Sequence, residues 1–286
     1  MATFCSKGDR FNNVTIPPEA IKATQSIATN SGVGLSPAIW SNCPMTGIRN
    51  DPGLGFYMED DFTRLGVTPT ITTIIAGLGQ YSLFGSSGAT ILPDDAVGGG
   101  LVLTEATTNE AVSIAGESHP FRITSGGGDL WFEARIKTST IVATKQAWFC
   151  GLMDTTAQAA AVPLTATGTI ADLNIVGFHH QEANTTAFDA SYKANGVSAV
   201  EVNSDIGTLE AGTYIKAGLT FDGKNTVKFY LNGLVSPTTV KVNATNFPNN
   251  EELALYLLSK QTSGSVTYSP KWDWVRVAMS ESVGAF

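Results

Sequence analysis

The chain has 286 residues, 43% hydrophobic and only 15% charged, with 17 Lys and Arg against 25 Asp and Glu and a net charge of −8. An average soluble domain is about 25% charged; here 34 threonines and 29 glycines stand where charge would be. Disorder would need low hydrophobicity and high net charge, a coiled coil would need Ala, Glu, Lys, Leu and Arg in bulk, and phosphate-driven nucleic-acid binding would need a basic balance, so all three are excluded.

A chain of this length buries about three-quarters of its unfolded surface and needs neither disulfide nor metal to fold. Cys5, Cys43 and Cys150 form no Cys-x-x-Cys or Cys/His cluster, which argues against zinc. Cys150, within Trp148-Phe149-Cys150, reads as a small buried hydrophobe; a Cys5–Cys43 pair is a weaker alternative. Residues 1–10 lack the apolar core of a signal peptide, and the charge-poor stretches 23–48 and 65–93 are too rich in Gly, Thr, Ser and Pro to span a membrane. Sequons at Asn13, Asn184 and Asn243 are expected to be chance matches in a Thr-rich chain.

Residues 1–57 are broken by Pro17, Pro18, Gly32, Gly34, Pro37, Pro44, Gly47, Pro52, Gly53 and Gly55, and their apolar residues keep no period. A short helix is predicted over 18–27, with Pro18 at its start and Glu19 in its first turn. Exposing Trp40 and Met45 would be unfavourable at about 25 cal/mol per Å², so this arm is expected to lie along a surface, either its own β domain or a neighbouring subunit.

From Phe56 the text becomes β-like. Strands are predicted over 56–62, 81–84, 100–104, 111–115, 130–138, 147–153, 173–180, 198–203, 214–221, 226–231, 253–258 and 272–278, with Asn195-Gly196, Asp222-Gly223 and Asn232-Gly233 as turns. Residues 155–169 read as a long loop. Regularly spaced strands of this length argue for a two-sheet sandwich or a barrel, so the division is an extended arm over 1–57 and a β domain over 58–286.

The stretch 214–233, YIKAGLTFDGKNTVKFYLNG, puts Val227, Phe229 and Leu231 on a buried face and Lys228, Tyr230 and Asn232 on a wet one. It resembles the strand–turn–strand of laminin G-like and concanavalin A-like jelly rolls. LWFEARIK (130–137) and AWFCGLMD (147–154) resemble paired central strands of that fold, and WDWVRVA (272–278) its closing strand. The resemblance spans about 95–280 and implies an all-β concanavalin A-like (laminin G-like) jelly-roll sandwich. It says little of function, because one fold carries many.

Glycanases of that fold place two carboxylates as E-x-D-x-x-E after the Trp-rich strand, and retaining hydrolysis needs such a pair about 5–5.5 Å apart. Here only Asp154 occupies that region, and the next acid is Asp172. His179 and His180 point to opposite faces of a strand, one expected buried and one exposed, and cannot easily share a metal. His119 has no evident partner. Glu59, Asp60 and Asp61 with Asp94 and Asp95 supply oxygen ligands for Ca²⁺, but without the loop spacing of a site they read as a solvated strand end and a turn. Trp272 and Trp274 are expected on one face, as core. No Gly-x-Ser-x-Gly elbow or P-loop occurs. No catalytic, cofactor or metal residue is assigned.

The expectation for function is a non-catalytic structural protein of a bacteriophage virion, a capsid decoration or cement subunit. Its supports are the low charge, the breaker-rich arm, the jelly-roll body without catalytic residues, and a loose likeness of GLGFYMEDDF (53–62) to phage structural proteins. That reading implies assembly in the host cytoplasm, major capsid protein or other virion subunits as partners, a dimer or trimer, and neither nucleic acid nor membrane. The alternative is a carbohydrate-binding, lectin-like adhesion module, and a β-glucanase-like hydrolase comes third.

Overall fold

In-out alternation of apolar side chains, broken by turn residues every few positions, gives strands whose one face must find another sheet. The computed structural model describes residues 32–63, 75–78, 81–85, 89–94, 99–105, 110–154, 164–165, 170–181, 186–197, 201–261 and 268–281. Among these, the strands are β1 (Gly55–Asp60), β2 (Ile75–Leu78), β3 (Tyr81–Gly85), β4 (Thr90–Pro93), β5 (Leu101–Thr104), β6 (Ala111–Gly116), β7 (Phe121–Arg122), β8 (Leu130–Lys137) and β9 (Gln146–Asp154). The remainder are β10 (Ile175–His180), β11 (Ala187–Lys193), β12 (Glu201–Thr208), β13 (Tyr214–Phe221), β14 (Thr226–Leu231), β15 (Leu234–Lys241), β16 (Glu252–Gln261) and β17 (Lys271–Ser280).

They form two antiparallel sheets. The first runs β15-β14-β13-β8-β17-β5-β4, with β1 also on β17; the second runs β12-β11-β10-β9-β16-β6-β3-β2, with β7 also on β16. The main core lies between them and is built on Phe132, Trp148, Phe178, Phe188, Phe229, Leu257 and Trp272. Of the two-sheet sandwich or barrel expected from the strand pattern, the sandwich is the architecture found. The predicted strands 214–221 and 226–231 match β13 and β14 residue for residue.

The turns explain themselves. Asp222 accepts the amide protons of Lys224, Asn225 and Thr226 at 2.8–3.0 Å, closing the loop between β13 and β14. Asn232 (φ 48°) and Gly233 (φ 74°) form the two-residue turn into β15, a geometry that Asn-Gly tolerates best.

Four expectations are corrected. β8 and β9 are not paired: β8 lies between β13 and β17, and β9 between β10 and β16 in the opposite sheet. The link 138–145 crosses the sandwich rather than turning back within one sheet, and Thr138 and Gln146 bond each other across it at 2.8 Å. Trp272 and Trp274 do not share a face. A bulge at Asp273 pairs Trp272 with Ile136 and Trp274 with Arg135, so Trp272 enters the core while the Trp274 indole turns outward and donates to the Val33 carbonyl at 2.9 Å. His179 and His180 do face opposite ways, but both are buried, because the outer face of the second sheet carries its own apolar layer. Tyr230, read as wet, is 8% exposed beneath the N-terminal segment.

That segment continues through two short helices, α1 (Pro37–Trp40) and α2 (Met45–Asn50). Ile39, Trp40, Cys43 and Ile48 pack on Trp131, Tyr230 and Ala278 of the first sheet's outer face. The buried Glu133 carboxylate accepts from the Ser36 amide (3.0 Å) and the Trp40 indole (2.8 Å), and Lys216 Nζ donates to the Gly34 carbonyl at 2.8 Å. Of the two surfaces expected for the arm, residues 32–54 take their own domain. Cys43 is a buried free thiol; Cys5 and the helix predicted over 18–27 lie outside the described residues. Among the described residues, no helix is long and apolar enough to cross a membrane.

Candidate functional site

The strand reading AWFCGLMD ends at Asp154, and its alternation decides what the second sheet shows outward. Ala147, Phe149 and Met153 face out, while Trp148, Cys150 and Leu152 face the core. Gly151 lies directly opposite Gly177 on β10. The Phe149 ring rests over this pair, so that a β-carbon on either glycine would come within 3.0–3.1 Å of it. Leu164 and Ile170, joined by a β-bridge, complete the apolar layer with Tyr256 and Leu258. Of the region 151–163, where the glycanase resemblance would put paired carboxylates, β9 contributes residues 151–154, with Met153 in the apolar outer layer and Asp154 at the strand end; residues 155–163 lie outside the described residues.

Polar side chains gather instead at the end of the sandwich where β9 finishes and β10 and β16 begin. Asn174 donates to Asp154 at 2.6 Å and accepts from the Asn195 amide at 2.7 Å. The Asn195-Gly196 turn is braced by Asp172, which accepts from the Gly196 amide at 3.0 Å and is 3.3 Å from Lys193 Nζ. The Ala194 amide donates to the Asn246 carbonyl at 2.7 Å, fixing the loop ahead of β16. Together these segments enclose a cleft of about 520 Å³ lined by Asp154, Asn174, Asn195, Phe247, Asn249 and Glu251. Phe247, 5.5 Å from Tyr192 between ring centres, is buried at its floor, whereas Asn195, Asn249 and Glu251 are exposed at its rim.

Cleft volumes of about 300–1,000 Å³ are typical of small-molecule sites. Carboxamides both donate and accept, and carboxylates accept, so this lining matches a ligand dense in hydroxyl groups. Its carboxylates disfavour an anion.

Other residues singled out in the sequence have different duties. His119, read as unpartnered, stands in the field of the Glu252 and Asp154 carboxylates, although burial holds its pKa below the ordinary value. His179 accepts or shares a proton with Ser191 at 2.7 Å and lies 3.8 Å from Asp189. Burial and the neighbouring His180 push His179 down to about 3, so it stays neutral within the sheet. Ser191 has no exposed surface, which leaves this trio without a route to substrate. Glu59 is held by Arg49 at 2.9 Å, by Arg276 and by the Tyr57 hydroxyl. Asp61 accepts from Thr63, and Asp94 pairs with Lys271 at 2.8 Å. The acidic cluster therefore spends its charge on its own neighbours; Asp95 lies outside the described residues.

No protein-family model and no curated protein matches the sequence. Solved structures do. A protein of unknown function from Shewanella oneidensis MR-1 aligns over 97% of this chain and 98% of its own, at 14% identity and a TM-score of 0.52. Arcelin-5, a lectin-like defense protein from Phaseolus vulgaris, covers 80% of this chain and 99% of its own at 10% identity and TM-score 0.50. The Crh5 transglycosylase covers 82% and 88% at 16% identity and TM-score 0.50. The fold is the concanavalin A-like sandwich. At these identities the likeness speaks of the fold alone, and within the concanavalin A-like architecture function has to be argued from the site.

Asp154 was legible as the acid after the Trp-rich strand, and Asn195-Gly196 as a turn. Asn174, Phe247, Asn249 and Glu251 carried no motif. Asn174 comes from the loop ahead of β10 and the other three from the loop ahead of β16, and only the closed sandwich brings the two loops together.

Proposed function

We propose that this protein is a carbohydrate-binding, lectin-like module without hydrolytic activity, and that the cleft between Asp154 and Glu251 is its glycan site. The observation that carries the reading is the hydrogen-bonded row Asp154–Asn174–Asn195 facing a cleft of ligand size. Because these groups are held by one another and by the sheet ends, binding costs little reordering. The sequence supports the non-catalytic half of the proposal, since retaining hydrolysis needs two facing carboxyl groups and residues 151–163 hold one acid, Asp154.

A glycan array probed with the whole chain tests this. Binding to at least one neutral glycan is expected, and Asn174→Ala should weaken it roughly 10- to 100-fold, the cost of about 1–3 kcal/mol for an unmet hydrogen bond. A null across a broad array by the wild-type protein overturns the reading, and release of reducing sugar from β-glucans overturns its non-catalytic half. Display on a phage particle is compatible with glycan binding. The support for that role is the charge-poor lead sequence, and electron microscopy of purified particles tests it; absence of the chain from virions would end it.

A further inference from the structure

We propose that a second cleft continues the first, so that the ligand is a neutral or basic oligosaccharide of at least two sugar units lying across residues 249–252. This rests on the reading of the first cleft as a glycan site and adds the size and charge class of the ligand.

The second cleft, about 380 Å³, lies at the same end of the sandwich and is lined by His119, Arg122, Ser125, Gly126, Asn250 and Glu252 among others. The two clefts share one wall, a single thickness of chain. Asn249 and Glu251 line the first, and Asn250 and Glu252 line the second. Asn250 sits at φ 66°, a conformation that Asn tolerates better than most residues, and its amide is tied to the Ile123 carbonyl at 3.1 Å. The wall is therefore fixed, and its successive side chains serve opposite sides.

The chemistry of the second cleft complements that of the first. Glu252 is neutralised by Arg122 at 2.6 Å, and His119 is held toward its neutral form by burial. Thr124 and Ser125 offer hydroxyls, and the turn at Gly126 opens onto empty space, since a β-carbon there would meet nothing within 4 Å. Such a lining donates and accepts without net positive charge. The first cleft adds Asp154 and Glu251. Among the described residues, an acidic sugar meets no cation in the lining of the first cleft and only an already paired Arg122 in that of the second. A neutral chain, or an amino sugar, meets hydrogen-bonding groups along the whole length.

Titration calorimetry on the whole chain tests the proposal, using cello-, laminari- and chito-oligosaccharides of one to six units and an oligogalacturonate as the acidic probe. In at least one neutral or basic series, affinity should rise tenfold or more beyond the single sugar, with the oligogalacturonate at least tenfold weaker than its best member. Ser125→Trp, which fills the second cleft, and Arg122→Ala, a second variant, should abolish the gain with length and leave single-sugar affinity unchanged. Length-independent affinity, tighter binding of the acidic probe, or an equal loss for short and long ligands in both variants overturns the second cleft while the first stands. Failure of the wild-type protein to bind any of these probes overturns the second cleft, and together with a null across the glycan array overturns both.

Discussion

At the residue scale, Glu105 is the group most out of place. It is 2% exposed, at the end of the sandwich opposite the clefts. Burial raises its carboxyl to about 7, opposed in part by the Ser259 hydroxyl and Lys260. An unfolded glutamate titrates near pH 4.3, so the folded protein holds this proton more tightly than the unfolded chain. The sign follows: Glu105 costs nothing below about pH 4, and as pH rises from there through about 7 the folded state loses stability to the carboxylate's buried charge. Glu105→Gln should match the wild type near pH 4 and exceed it by about 1–3 kcal/mol at pH 8, as read by urea unfolding across that range. Parallel curves for the two proteins would refute the assignment.

At the element scale, the N-terminal segment shows how a breaker-rich stretch acquires structure. Helices of four and six residues do not stand alone in water. They persist here because Trp40 is both buried and hydrogen-bonded to Glu133, and because Ile39 fills the dimple left by Gly218, where a β-carbon would come within 2.4 Å of its terminal methyl. Trp40→Ala should cost about 3–5 kcal/mol and speed amide exchange in 36–50 before it affects the inter-sheet core; uniform exchange would show that the segment is not a separable layer. The sequence announced that Trp40 needed cover but could not name it, since the covering residues, Trp131 and Tyr230, lie about 90 and 190 positions away. The bulge at Asp273 was hidden for a related reason. Alternation is read as unbroken unless a partner strand shows where one residue goes unmatched, and β8 supplies that partner.

At the scale of the whole molecule, the strands pair across great sequence distances, β1 with β17 and β6 with β16. Closing such loops before their contacts form is slow, so refolding followed by tryptophan fluorescence should take milliseconds to seconds or longer; a microsecond phase accounting for the full amplitude would contradict this. Two sheets were legible because most strands carry an apolar run or an alternation, and Asp-Gly and Asn-Gly mark their own turns; β2, β4, β7, β11 and β15, short or polar, carried too little of either to be read. The assignment of strands to sheets was less so, because β8 and β9 have the same inward pattern whether they pair side by side or face to face. The cleft was least legible of all, since the row Asp154–Asn174–Asn195 owes its geometry to where three strands happen to end.

Pairing of β1 with β17 sets Gly55 against Ser280, and the Glu281 amide reaches back to the Leu54 carbonyl at 2.9 Å. Glu281 also lines the second cleft. The last strand of the sandwich thus ends beside the proposed ligand site, so the closure of the first sheet also shapes the second cleft.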